Sequence, residues 1–187
     1  MPEGPTAHPA LFLVGYRCTG KTTVARLLAG SLGWRWLDAD AVLEERAGRT
    51  IRAVFAEEGE AGFRRRESEV LEDLCRRGRH VIATGGGVVL SADNRARLRA
   101  AGPVVWLTAD AETIWERLRA DAATAERRPA LTVGGLAEIR QLLQARERLY
   151  REAAHCTVET TGRSPEEVAE LVLSALGDRL SAARSDS

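Results

Sequence analysis

The sequence predicts an α/β fold of three layers, αβα, with a five-stranded parallel sheet at its centre. Three observations predict it. Short apolar runs of strand length alternate along the chain with longer stretches of helical periodicity, the pattern of a parallel sheet covered on both faces. Glycines follow the first and third runs directly, where an open parallel sheet binds its ligands. No apolar run approaches the roughly 18 residues that a membrane-spanning helix requires, and 44% hydrophobic with 29% charged residues is a globular composition.

The elements follow in order. Residues up to Pro9 are proline-rich, lack the basic segment of a secretion signal and read as a flexible tail. Ala10–Val14 is a short apolar run that ends in glycine, as a buried parallel strand does. Lys21–Leu32 carries Val24, Leu27, Leu28 and Leu32 at helical spacing. A second strand is predicted at Arg35–Leu37, then helices over Ala41–Ala47, Ile51–Glu57 and Glu60–Arg77. His80–Thr84 is a third strand, stopped by three consecutive glycines, and Ala92–Ala101 a helix. Pro103–Leu107 makes the fourth strand and Ala111–Leu118 the next helix. Asp121 to Gly135 is polar, rich in Ala, Thr and Arg and broken by Pro129, which predicts a mobile lid over about 121–135. A long helix over Leu136–Ala153 leads to a fifth strand near Cys156–Val158. Ser164 and Glu167 form a capping box for a last helix, and 181–187 reads as a second flexible tail. Residues 10–180 thus make one domain, without repeats or an internal linker.

Charge and cysteine usage exclude several classes. Acidic and basic residues number 27 each, so no net field draws nucleic acid or an anionic membrane, and any anion site is local. Cys18, Cys75 and Cys156 are odd in number and widely spaced, which argues against a disulfide framework and fits a reducing cytoplasm. His8, His80 and His155 have no metal-ligand spacing to one another or to the cysteines.

Gly15-Tyr16-Arg17-Cys18-Thr19-Gly20-Lys21-Thr22 matches G-x-x-x-x-G-K-[ST] between a predicted strand and a predicted helix. The physical reasons are specific. Glycines let the backbone curl so that successive N–H groups face phosphate oxygens, and the helix N-terminus adds its partial positive charge. Lys21 places a compact cation on the β- and γ-phosphates, and the Thr22 hydroxyl can ligate Mg²⁺. The chain has 26 arginines and one lysine, and that lysine is Lys21. A guanine-reading Asn-Lys-x-Asp motif therefore cannot exist elsewhere, which favours ATP over GTP. The motif makes this a P-loop fold. It leaves the reaction open among ATPases, nucleotide kinases and metabolite kinases.

The acceptor side is read from three further groups. Asp38-Ala39-Asp40 follows the second strand, and positions two apart on an extended segment face the same side. One carboxylate can then hold the metal's water shell while the other takes a proton from an attacking hydroxyl; a plain helix N-cap is the alternative. Gly85-Gly86-Gly87 permits close approach of a ligand to the backbone, or is a flexible turn. Arg64, Arg65 and Arg66 project in different directions from one helix, so at most one or two serve a site, and a solvated face suits Arg65 and Arg66. Arg146 has the same ambiguity, resolved if the substrate offers a carboxylate to grip.

Taken together, the P-loop, Asp38-Ala39-Asp40, Gly59-Glu60-Ala61-Gly62-Phe63-Arg64, the triple glycine, Arg128-Pro129 and Arg146 before Leu149-Tyr150 resemble the shikimate kinase family from about Leu11 to Leu173. The resemblance implies transfer of phosphate from ATP, with Mg²⁺, to the 3-hydroxyl of shikimate. Gly15, Cys18, Thr19, Gly20, Lys21, Thr22 and Thr23 would hold the nucleotide's phosphates, Arg117 would lie over adenine, and Arg163 and Pro165 would be nearby. Thr22 and Asp38 would organise Mg²⁺. Asp40 would bind the substrate hydroxyls and assist deprotonation, while Arg64, Arg146 and the backbone of Gly85, Gly86 and Gly87 would hold the carboxylate side. Arg128 on the lid would supply charge at the transition state, with Lys21 and Asp40 completing the catalytic set. A cytoplasmic monomer in aromatic amino-acid biosynthesis, binding neither nucleic acid nor membrane, is also implied. The chain departs from the family at Cys18, where many members have glycine, at Arg17, which puts an unusual cation beside the loop, and in a lid that is a few residues longer. Cys18 is either a redox-sensitive thiol or an inert filler. A kinase of another sugar acid such as gluconate, and a non-catalytic ATP-binding module, are the competing readings.

Overall fold

The computed structural model describes residues 9–120 and 135–181. Its five strands are β1 (Leu11–Val14), β2 (Arg35–Asp38), β3 (His80–Ala83), β4 (Val104–Thr108) and β5 (Cys156–Glu159). They form one sheet in the order β2-β3-β1-β4-β5, and every neighbouring pair is parallel. The register places Leu13 and Asp38 both opposite Ala83. Gly15, Asp40 and the glycine run after Thr84 therefore emerge at one edge, beside the central strand where the chain turns from one side of the sheet to the other.

Seven helices accompany these strands among the described residues: α1 (Lys21–Leu32), α2 (Ala39–Ala47), α3 (Ile51–Leu74), α4 (Ala92–Ala101), α5 (Ala111–Ala120), α6 (Gly135–Ala153) and α7 (Pro165–Ser181). Side chains along a strand alternate in direction, which gives each face of the sheet its own core. Leu11 and Leu13 pack with Val24 and Leu28 of α1 and Val168 and Val172 of α7. Phe12 and Val14 pack with Leu43, Phe63 and Leu71, Leu98 and Tyr150, drawn from α2, α3, α4 and α6. A smaller cluster joins Tyr16 to Ile114 and Leu118 of α5 and Ile139 of α6.

The expected αβα layering and parallel sheet are present, and the bounds of α1 and α4 are those expected. Three local features differ. Helix α2 starts at Ala39 rather than Ala41 because the Asp38 carboxylate caps it, so Asp40 is helical and not on an extended segment. The two helices expected around residue 58 are halves of α3, separated by the single non-helical residue Gly59 (φ 68, ψ −175), and the second half stops at Leu74 rather than Arg77. A 3-10 turn over Val88–Leu90 follows the triple glycine. The expected lid lies outside the described residues apart from Gly135, which opens α6, and Arg128 lies outside them too. So do the expected tails, apart from Pro9 and Ser181, which ends α7.

Candidate active site

The loop from Gly15 to Gly20 is held by its own backbone geometry. Gly15 has φ +147, and a Cβ there would overlap the Leu107 carbonyl on the neighbouring strand. Gly20, at φ 87, caps α1 without a side-chain hydrogen bond. The Thr19 hydroxyl donates to Tyr16 O at 2.8 Å. Lys21 is buried and donates to Gly15 O at 2.9 Å and Tyr16 O at 2.7 Å, so its ammonium lies inside the curl of the loop. Cys18 has φ 60, a left-handed conformation that glycine adopts without steric cost.

Thr22 and Thr23 stand exposed at the start of α1. The Thr22 hydroxyl donates to Asp38 Oδ2 at 2.6 Å, while Asp38 Oδ1 accepts from the N–H groups of Asp40 at 2.9 Å and Ala41 at 3.3 Å. Helix cap and neighbour of the P-loop threonine are therefore two roles of one carboxylate, one for each oxygen. A hydroxyl and a carboxylate side by side are hard oxygen donors of the kind Mg²⁺ takes alongside phosphates and water. Among the described residues, no group of three or more His, Cys, Asp or Glu could hold a metal alone.

The triple glycine is where three segments converge. A Cβ on Gly85 would stand 2.7 Å from Glu67 Oε1 and 2.9 Å from Asp40 Oδ1. On Gly86 it would stand 3.3 Å from Arg17 N and 3.5 Å from Gly15 O, in the P-loop. On Gly87 it would overlap the guanidinium of Arg64. Asp40 from α2, Arg64 and Glu67 from α3 and the P-loop thus meet around three backbone units without side chains. Arg64 donates to Glu67 Oε2 at 2.7 Å, and Glu67 is buried. From α6, the Tyr150 hydroxyl donates to Gly86 O at 2.5 Å; burial pushes that phenol above its ordinary range, against the pull of Arg146. Arg146 lies one turn earlier, its guanidinium 5.8 Å from the centre of the Tyr16 ring, with Arg17 at 5.6 Å from the same ring.

On the other flank, Arg117 of α5 donates to Cys18 O at 3.2 Å and to Thr160 Oγ1 and O, each at 3.0 Å. It ties the P-loop to the segment after β5. Arg163 is exposed in that segment, its N–H donating to Thr160 O, and Pro165 opens α7. The capping box is formed in both directions, Ser164 N to Glu167 Oε2 at 2.7 Å and Glu167 N to Ser164 Oγ at 3.2 Å.

The structure therefore brings together Gly15, Lys21, Asp40, Arg64, Gly85, Gly86, Gly87 and Arg146 on one flank and Cys18, Arg117 and Arg163 on the other. Arg65 and Arg66 do not join them: Arg65 is exposed and Arg66 bonds to Glu58. Three residues at the site were given no role by sequence reasoning. Glu67 sits three positions after Arg64 and Tyr150 four after Arg146, spacings that place each pair on one helix face. Tyr16 is an interior position of the P-loop motif and has no such marker.

Comparison with known proteins agrees with this geometry. The family model described as shikimate kinase matches residues 17–177. A shikimate kinase of Rhodopirellula baltica is 43% identical over 166 residues, covering 88% of this chain and 89% of its own. One of Symbiobacterium thermophilum is 44% identical over 170 residues, covering 90% and 97%. The solved shikimate kinase of Acinetobacter baumannii, in complex with shikimate, superposes with a TM-score of 0.85 at 40% identity, over 94% of this chain and 97% of that one. A gluconokinase from Sinorhizobium meliloti reaches a TM-score of 0.57 at 13% identity, over 96% and 98%, and shares the fold alone. With the family model spanning all but the ends of the chain, and its P-loop, paired aspartates and triple glycine meeting at one sheet edge, this small-molecule kinase belongs to the shikimate kinase family.

Proposed function

We propose that this site transfers the γ-phosphoryl group of ATP to the 3-hydroxyl of shikimate, giving shikimate 3-phosphate and ADP. The observation that carries the reading is the convergence of the P-loop, Asp40 and Arg64 on Gly85–Gly87. That convergence supports a reading in which the loop holds the nucleotide and Arg64 grips the acceptor's carboxylate. Phosphoryl transfer asks a protein mainly for positioning and charge stabilisation. Lys21 exchanges the two loop carbonyls it now holds for β- and γ-phosphate oxygens. Asp40 accepts the proton of the attacking hydroxyl as the new O–P bond forms and the bond to ADP breaks. Arg64 and Arg146, with the Gly86 backbone, hold the substrate carboxylate. Thr22 and Asp38 would hold Mg²⁺ with the phosphates, and the ion would neutralise their charge. Arg117, with Arg163 and Pro165, flanks the adenine, and Arg128 of the lid adds positive charge at the transferring group. A cytoplasmic location belongs to the same reading, supported by cysteines that are odd in number and widely spaced along the chain.

The test is ADP release by the purified chain with Mg·ATP, with and without shikimate, beside gluconate and an Asp40→Asn control. Shikimate-dependent turnover that disappears in the Asp40 variant is expected. Turnover on gluconate in its place would move the acceptor assignment, and ATP binding without turnover on either would leave a non-catalytic nucleotide-binding module.

A further inference from the structure

Arg64 and Glu67 reach the site from the second half of α3, beyond the break at Gly59. A turn made on one glycine has no preferred direction of its own. Direction comes from what spans it. Phe55 and Phe63 stack across the break with ring centroids 4.4 Å apart. Glu58, the last residue before the break, accepts from Arg66 beyond it: from Nε at 3.0 and 2.9 Å on its two oxygens, and from a terminal nitrogen at 2.8 Å. Arg49, in the segment between α2 and α3, donates to the same carboxylate and pairs with Glu57 at 2.8 Å. The Arg66 hydrogen bonds hold the Glu58 carboxyl below its ordinary range and raise the arginine in return. Gly62 gives the Glu58 side chain its path: a Cβ there would overlap Glu58 Cβ and come within 3.0 Å of its carboxylate.

A lone exposed ion pair contributes little to stability, so a salt bridge alone would carry no functional argument. Here the carboxylate is largely covered, its side chain 19% exposed, and it joins three segments whose mutual orientation sets the acceptor site. We propose that Glu58 is a positioning residue: it latches the second half of α3 to the segment following α2, and so holds Arg64 against Gly87 and Glu67 against Gly85. This rests on the acceptor assignment above, and it adds residues that touch no substrate.

The test uses the whole chain and three variants that break the latch from different sides. Glu58→Gln keeps the shape and removes the charge, Arg66→Met removes the partner, and Gly62→Ala displaces the Glu58 side chain. Each is expected to raise the KM for shikimate roughly tenfold while the KM for ATP stays within about twofold. The double variant Glu58→Gln/Arg66→Met should be no worse than either single one, because both break the same latch. An unchanged KM for shikimate with a lowered Tm would make the network a stabilising feature only and overturn the proposal. Equal rises in both KM values, or additive effects in the double variant, would overturn it as well. Absence of shikimate-dependent ADP release by the unsubstituted chain would instead bring down the functional reading, and this inference with it.

Discussion

Gly87 leaves the Arg64 guanidinium the space that a methyl group would fill. Gly87→Ala should therefore push the arginine off its position and raise the KM for shikimate by roughly tenfold, while ATP kinetics stay within about twofold. Steady-state kinetics with each substrate varied in turn checks this, and a change confined to ATP would place Arg64 elsewhere. Lys21→Ala should lower turnover by about 10³ or more and keep a cooperative melt if, as proposed, the lost ammonium serves the phosphates. Near-normal turnover would remove the P-loop from the mechanism. Cys75 carries a different consequence. Burial pushes its thiol up from 9.0 to about 11. Below the unfolded value both states keep the proton and the fold has its full stability; as pH rises from about 9 through 11 the unfolded chain ionises first and stability is lost. Thermal melts should thus show a larger drop in Tm between pH 8 and pH 10.5 for the native chain than for Cys75→Ala.

At the scale of elements, each boundary that was legible had a local cause. Helix α1 runs between Gly20 and Gly33, both left-handed, and the glycines stand in the sequence as its punctuation. The Ser164–Glu167 box before α7 was readable for the same reason, and Ser164→Ala should cost about 1 kcal/mol in urea melts. A loss below a few tenths of that would show that packing against α1 holds α7 without its cap. Where the reading failed, the cause was an interaction across the chain. Asp40 was placed on an extended segment, yet Asp38 starts α2 two residues earlier, and a capping choice of that kind depends on where the next helix packs. Of the three arginines after Phe63, the solvated face expected for Arg65 and Arg66 holds for Arg65 alone, because Arg66 bonds to Glu58. Their directions are set by the Gly59 break and by Glu58, one claiming Arg66 and the other aiming Arg64. Glu67 was overlooked because a buried glutamate reveals itself only through the partner it finds.

For the whole molecule, alternation of strands and helices was enough to give the layers and the parallel sheet, because each β1 residue must bury its side chain on one face or the other. The position of the site followed from register, since three strands end level and their trailing loops meet. Composition had a further effect at this scale. Arginine replaces lysine at every other basic position, so the ammonium inside the P-loop is the chain's one side-chain amine. An amine-selective acylating reagent, any N-terminal α-amine aside, then has one side-chain amine to modify, and that amine is buried against two carbonyls. Guanidinium groups pass such treatment with their charge intact. Inactivation should therefore follow labelling of Lys21 alone and slow when nucleotide fills the loop, so that occupancy of this site can be counted from the mass of the one peptide that carries it.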